Sequence, residues 1–98
     1  MYFDYEMLAS AAKHSVGNYE EIIESHICGC YHCRFIFYAR DIDPEKNVVA
    51  DEGVFTVACL YCGNETVIGD YSGYPITDEF LDAMNEYALF INSYKKTR

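Results

Sequence analysis

Apolar residues recur at helical spacing near the two ends of this chain and gather into short strand-like runs between them. Phe3, Met7, Ala11 and His14, with Leu8 and Ala12 widening the stripe, predict a helix over residues 3–14. Asp4 and Glu6 in its first turn and Lys13 and His14 in its last suit the helix dipole, and Ser15-Val16-Gly17 stops it. Asn18 then stands where an N-cap belongs, Glu21 completes a variant of the capping box, and Ile22 and Ile23 turn a short second helix toward the core. His26 is expected to close that helix near its negative end.

Phe35-Ile36-Phe37-Tyr38 reads as a strand, too apolar to be half exposed. Pro44 keeps the polar stretch from Asp41 to Asn47 out of any central strand. Val48-Val49-Ala50, Asp51-Glu52-Gly53 and Val54-Phe55-Thr56-Val57-Ala58 then read as strand, turn and strand. Asn64-Glu65 is a turn, and Thr66-Val67-Ile68 a further strand. Thr77 caps the last helix, whose stripe of Phe80, Leu81, Met84, Tyr87, Ala88 and Ile91 must bury one face, with the sheet as the expected partner.

Chemistry enters with two pairs of cysteines, each pair separated by two residues. Cys30-Tyr31-His32-Cys33 and Cys59-Leu60-Tyr61-Cys62 form a pattern in which two tight turns each aim two thiolates at one tetrahedral Zn²⁺. Gly63 directly after Cys62 fits, because the exit of such a turn favours φ > 0, whereas Arg34 holds that position after Cys33. Paired disulfides, free thiols and a redox Cys-x-x-Cys are the rival readings. Two such pairs with no βαβ pattern around them favour metal, with Cys30, Cys33, Cys59 and Cys62 as ligands of one structural zinc ion.

A chain of 98 residues is one domain, 1–98, and gains from the extra stabilisation that a bound metal supplies. A formal charge of −9 disfavours nucleic acid, since phosphate binding rests on cationic side chains. The only basic run, Lys95-Lys96-Thr97-Arg98, reads as a frayed end. Cysteine pairs available to metal belong to a reducing compartment. The start, Met1 to Glu6, is acidic and lacks the marks of a signal peptide, and no apolar run reaches the length of a membrane span. A cytoplasmic location is the expectation, with no membrane partner.

Cys28-Gly29-Cys30-Tyr31-His32-Cys33, Cys62-Gly63 and the segment from Val67 to Leu81, which contains Val67-Ile68-Gly69-Asp70-Tyr71-Ser72-Gly73-Tyr74-Pro75-Ile76-Thr77, resemble a group of small bacterial cytoplasmic proteins with a zinc ribbon between helical ends. The resemblance spans roughly residues 20–91 and implies cysteine-bound metal in a bacterial cytoplasm, but no activity. Members of that group often carry proline after the third ligand and a Trp-Phe pair late in the last helix, where this chain has Leu60 and Leu89-Phe90.

The remaining candidates are weaker. Cys28 is either a small buried side chain or a thiol that exchanges metal or senses oxidants beside the ligands. His26 and His32 are expected to be solvent or supporting groups. Asp70, Tyr71, Ser72 and Tyr74 form either a recognition loop or a connector bonded to its own backbone. Four thiolates would leave a zinc ion no open position for catalysis, and no catalytic constellation is visible. Ten tyrosines favour an interface. The sequence therefore predicts an α+β protein, a zinc ribbon of three or four short antiparallel strands flanked by N-terminal helices and a C-terminal helix, that binds another protein. The alternatives are a metal- or redox-responsive protein using Cys28 and a nucleic-acid-binding ribbon.

Overall fold

The computed structural model describes the backbone of residues 3–96 and the side chains of residues 3–92. Met1 and Tyr2 of the acidic start and Thr97 and Arg98 of the basic run lie outside the described residues.

The chain begins with a capped helix. Asp4 Oδ1 accepts the Met7 N–H at 2.9 Å and starts α1 (Tyr5–Ala12), so Asp4 is the cap rather than a first-turn residue. The helix is shorter than its apolar stripe: Lys13–Ser15 tighten into a single 3-10 turn, where the Ser15 hydroxyl donates back to the Ala12 carbonyl at 2.7 Å. Gly17, at φ +60, redirects the backbone into α2 (Tyr19–Ile23). Asn18 holds the N-cap position, its carbonyl accepting the Ile22 N–H at 2.8 Å, but its side chain makes no capping bond, and Glu21 reaches His14 Nδ1 at 2.9 Å instead of folding back. Ile22 is fully buried, but Ile23 points outward and is 55% exposed. His26 lies beyond the helix end, where its N–H donates to Asp70 Oδ1 at 2.8 Å.

Five strands follow: β1 (Ile27–Cys30), β2 (Ile36–Tyr38), β3 (Val48–Asp51), β4 (Val54–Val57) and β5 (Val67–Gly69). They divide into an antiparallel sheet of order β2-β1-β5 and a β3-β4 hairpin. Ile27–Cys30, running into the first cysteine turn, are the central strand of that sheet. In the three-stranded sheet Cys28 lies opposite Phe37 on one side and Gly69 on the other. The strand at 35–38 is half exposed, contrary to its uniformly apolar sequence: β2 is a sheet edge, so Phe37 is buried while Ile36 and Tyr38 face outward. At the hairpin tip, Glu52 at φ 52 and Gly53 at φ 84 both take left-handed backbone, the tight two-residue turn whose twist matches the strands it joins.

Thr77 Oγ1 accepts the Phe80 N–H at 3.1 Å and opens α3 (Asp78–Lys96). Its stripe buries Phe80, Leu81 and Met84 against Leu8 and Ala11 of α1 and Ile68 of β5. Contact with the sheet depends on Gly29, where a Cβ would fall 2.8 Å from Leu81 Cδ1. A second apolar cluster joins Ile22, Cys28, Phe37, Val57 and Val67, tying α2 and the hairpin to the sheet. The architecture is α+β, with three helices and two small antiparallel sheets arranged like a zinc ribbon. Among the described residues, no helix is long and apolar enough to cross a membrane.

Candidate metal centre

The sheet register brings the two cysteine turns together. The first turn connects β1 to β2, the second lies between β4 and β5, and Cys30 at the end of β1 pairs with Val67 at the start of β5. Both loops therefore emerge at the same end of the sheet.

Each loop repeats the same backbone bonds. The N–H of the leading cysteine donates to a carbonyl five residues on, Cys30 to Phe35 at 3.0 Å and Cys59 to Asn64 at 2.9 Å. The residue after the second cysteine donates to the carbonyl of the first, Arg34 to Cys30 at 2.7 Å and Gly63 to Cys59 at 3.0 Å. A backbone N–H within the turn then reaches the leading sulfur at 3.3 Å, from His32 to Cys30 and from Tyr61 to Cys59. Arg34, at φ 69, takes the same left-handed exit as Gly63, at φ 79, so the first turn carries the Cβ penalty that glycine spares the second.

The Sγ atoms of Cys30, Cys33, Cys59 and Cys62 all lie within 4.8 Å of one another. Cys30–Cys62 and Cys33–Cys59 approach to 3.6 Å, each contact crossing from one loop to the other. Ligand arms of about 2.3 Å at tetrahedral angles set sulfurs about 3.8 Å apart, whereas a disulfide needs about 2 Å. All five cysteines are free. The four clustered sulfurs are positioned to hold one metal ion.

The charges point the same way. Burial pushes the Cys33 thiol up to about 12, with the Cys59 and Cys30 sulfurs adding to the rise and the Phe35 N–H opposing it. Cys59 is also raised, chiefly by burial. At Cys62 burial acts upward too, but it is outweighed by hydrogen bonds from the Asn64 side chain and backbone, with Cys30 and His32 contributing, and the thiol falls to about 6. Ionisation is thus favoured at Cys62 and opposed at Cys33 and Cys59, where a bound cation would supply the charge that offsets burial. Asn64 Nδ2 lies 3.3 Å from Cys62 Sγ and 3.2 Å from His32 Nδ1, so His32 supports the cluster without joining it. His26 packs edge-on against Tyr38. Cys28 is fully buried in β1, and burial followed by the nearby Asp70 pushes its thiol up to about 12.

The residues from Asp70 to Tyr74 mostly serve the fold. Asp70 holds the His26 N–H, and the Ser72 hydroxyl donates to the Gly69 carbonyl at 2.6 Å. Tyr74 stacks on Phe80, and Tyr71 is exposed. Asn85, which the sequence did not single out, clamps the first cysteine turn from α3, its Nδ2 donating to the carbonyls of Tyr31 at 2.9 Å and His32 at 3.2 Å. Its only signal is a polar side chain next to Met84 in the buried stripe. Phe35 from the first turn stacks on Tyr61 of the second at 4.5 Å between ring centres, and both are more than half exposed. Comparisons with family models, with curated proteins and with solved structures give no match for this chain.

Proposed function

We propose that this chain is a cytoplasmic protein-interaction module whose centre is held by one structural zinc ion on Cys30, Cys33, Cys59 and Cys62. The observation that carries the reading is the four-sulfur cluster, with contacts of 3.6 Å between the two loops. An all-thiolate tetrahedral set suits zinc, and four protein ligands leave no position for a reacting water, which supports a structural rather than a catalytic ion. The likeness of its cysteine and Val67–Leu81 segments to small bacterial zinc-ribbon proteins supports the same assignment and the cytoplasmic setting.

The interaction role rests on the surface. Phe35, Tyr38, Phe55, Tyr61 and Tyr71 are exposed aromatic side chains of the kind concentrated at protein interfaces. The charge of −9 disfavours nucleic acid. A redox role for Cys28 is weakened by its burial, since a sensing thiol must be ionised and accessible.

Elemental analysis of protein purified without chelator should find one zinc per chain and no iron; absence of metal, or a coloured iron form, removes the zinc assignment. Crosslinking in the native cell should recover a defined protein partner. Recovery of nucleic acid instead, or of no partner, removes the interaction role.

A further inference from the structure

We infer that the groove between α2 and the tip of the β3-β4 hairpin is the docking site, and that its occupant is a peptide segment of a partner protein carrying apolar anchors flanked by lysine or arginine. This rests on the interaction role proposed above and names the surface and the partner chemistry. The groove encloses about 600 Å³, and its walls are Tyr19 and Ile23 from α2 and Val54 and Phe55 from β4. Gly17 and Gly53 also line it and contribute no side chain. Ile23, Val54 and Phe55 are each about half exposed, an apolar surface that nothing in this chain covers among the described residues.

The rim specifies the occupant. Glu20 lines the groove itself, and beyond the α2 wall the surface continues past Glu21 and Glu24 to Tyr71. Beyond the hairpin wall it continues past Asp51, Glu52 and Glu65, around Val16, Val49 and Val54. No lysine, arginine or histidine lines any of these three adjoining depressions among the described residues. An apolar trough bordered on both sides by carboxylates attracts a chain that alternates apolar and cationic groups and repels an acidic one. A second copy of this chain, itself at −9, meets that repulsion. The exposed carboxylates accelerate and select the encounter, while Phe55 and Ile23 supply the contacts that hold it.

The test uses the zinc-loaded protein and a fluorescein-labelled twelve-residue peptide with leucine or phenylalanine anchors between lysines, alongside a matched peptide with glutamate for lysine. Fluorescence anisotropy should show saturable binding of the lysine peptide, weakening about tenfold between 50 and 300 mM salt, as expected of screened charges. The glutamate peptide should not bind. Phe55→Thr and the pair Glu20→Lys, Glu24→Lys should each weaken binding at least tenfold with zinc content and circular dichroism unchanged, while Phe35→Thr on the first cysteine turn should not. Equal binding of both peptides, no binding, or indifference to Phe55→Thr overturns the groove. Concentration-dependent dimerisation abolished by Phe55→Thr also overturns it, because the occupant is then a second copy. If crosslinking recovers a cellular partner whose capture ignores Phe55→Thr and the double charge reversal, the interaction role stands and the groove falls. If neither the lysine peptide nor any cellular protein binds, both fall.

Discussion

Asn18 Oδ1 accepts the backbone N–H of Val57 at 3.0 Å, so a side chain at the entry of α2 completes the hydrogen bonding of β4 from 39 residues away. The other end of the amide is equally committed, with Nδ2 donating to the Val67 carbonyl at 2.8 Å and to the His14 carbonyl at 2.9 Å. One buried side chain thus joins the end of the first helical segment, the hairpin and the sheet. It also orients the two strands that border the second cysteine turn, linking the packing of the N-terminal helices to the geometry of the metal centre.

Asn18→Ala strips partners from three backbone groups in a buried site, and each unsatisfied group costs about 1–3 kcal/mol. Partial access of water to the gap offsets part of this, giving an expected loss of about 3 kcal/mol from the same principle in urea unfolding of the zinc-loaded protein. Asn18→Asp keeps the acceptor for Val57 but sets a carboxylate against two carbonyl oxygens. The deficit of that variant relative to wild type should therefore be largest at neutral pH and shrink as the pH falls toward the carboxyl range, while both proteins still hold their metal. Unchanged stability in Asn18→Ala would show that the three bonds add nothing.

The left-handed exits of the two cysteine turns give a paired prediction of opposite sign. Arg34→Gly removes the Cβ penalty at φ 69 but raises unfolded-state entropy and loses the exposed contacts to Asp82 and Asn85 at 3.4 Å. Exposed ion pairs contribute about 0–1 kcal/mol, so the net change should be a gain within about 1 kcal/mol. Gly63→Ala installs the same penalty, and with no atom within 4 Å of the added Cβ the backbone strain is the whole effect. It should lose about 1 kcal/mol. Thermal unfolding of both variants at saturating zinc measures the difference, and a loss in Arg34→Gly larger than in Gly63→Ala would contradict the shared geometry.

The parts of this fold that the sequence discloses are those set by local chemistry. The cysteine spacing, the Glu52-Gly53 turn, the Thr77 cap and the Phe80-Leu81-Met84 stripe each require only a few neighbouring residues, and each is found in place. The misreadings share a different cause. Asn18 stands at the helix start, as local rules place it, but its side chain is taken by a buried backbone donor on β4 instead of capping the helix. Ile36 and Tyr38 read as interior because their apolarity is local, whereas β2's place at the edge of the sheet depends on how β5 returns to β1. The Asn85 clamp is invisible for the same reason: its partners are carbonyls of the cysteine turn, brought near only by the approach of α3 over Gly29.

Cys28 allows a pH prediction with a definite sign. Burial, then Asp70, raises its thiol from an ordinary value of 9.0 to about 12, so the native state keeps it protonated where the unfolded chain ionises. The associated stability is fully present below pH 9 and is lost as the pH climbs from 9 toward 12. Cys28→Ala leaves a small cavity and should cost about 1–2 kcal/mol at pH 7. The gap between the two proteins should then narrow above pH 9, because only the wild type carries the titrating thiol. Zinc content should be the same in both. Parallel stability curves from pH 8 to 11, or zinc loss in the variant, would place Cys28 outside the apolar core or inside the metal shell.

Removing the metal tests the link between the site and the fold. Structural zinc contributes on the order of 10 kcal/mol in small peptides at neutral pH, comparable to the whole stability of a domain of this size. The proposed four ligands sit between the sheet and the hairpin, while α1 and α3 meet in a separate apolar cluster. A strong chelator should therefore melt the hairpin and both cysteine turns first. In amide hydrogen exchange, Val48–Val57 and residues 59–66 should lose protection while Leu8, Ala11 and Phe80–Met84 retain part of theirs. Cys30→Ser and Cys59→Ser, at the two buried positions of the cluster, should reproduce this at least as fully as Cys33→Ser or Cys62→Ser at the two half-buried ones. Acidification should do the same, because zinc needs thiolates and protons compete for them. Full protection of the hairpin after complete chelation would mean that the cysteine cluster does not hold the two halves together.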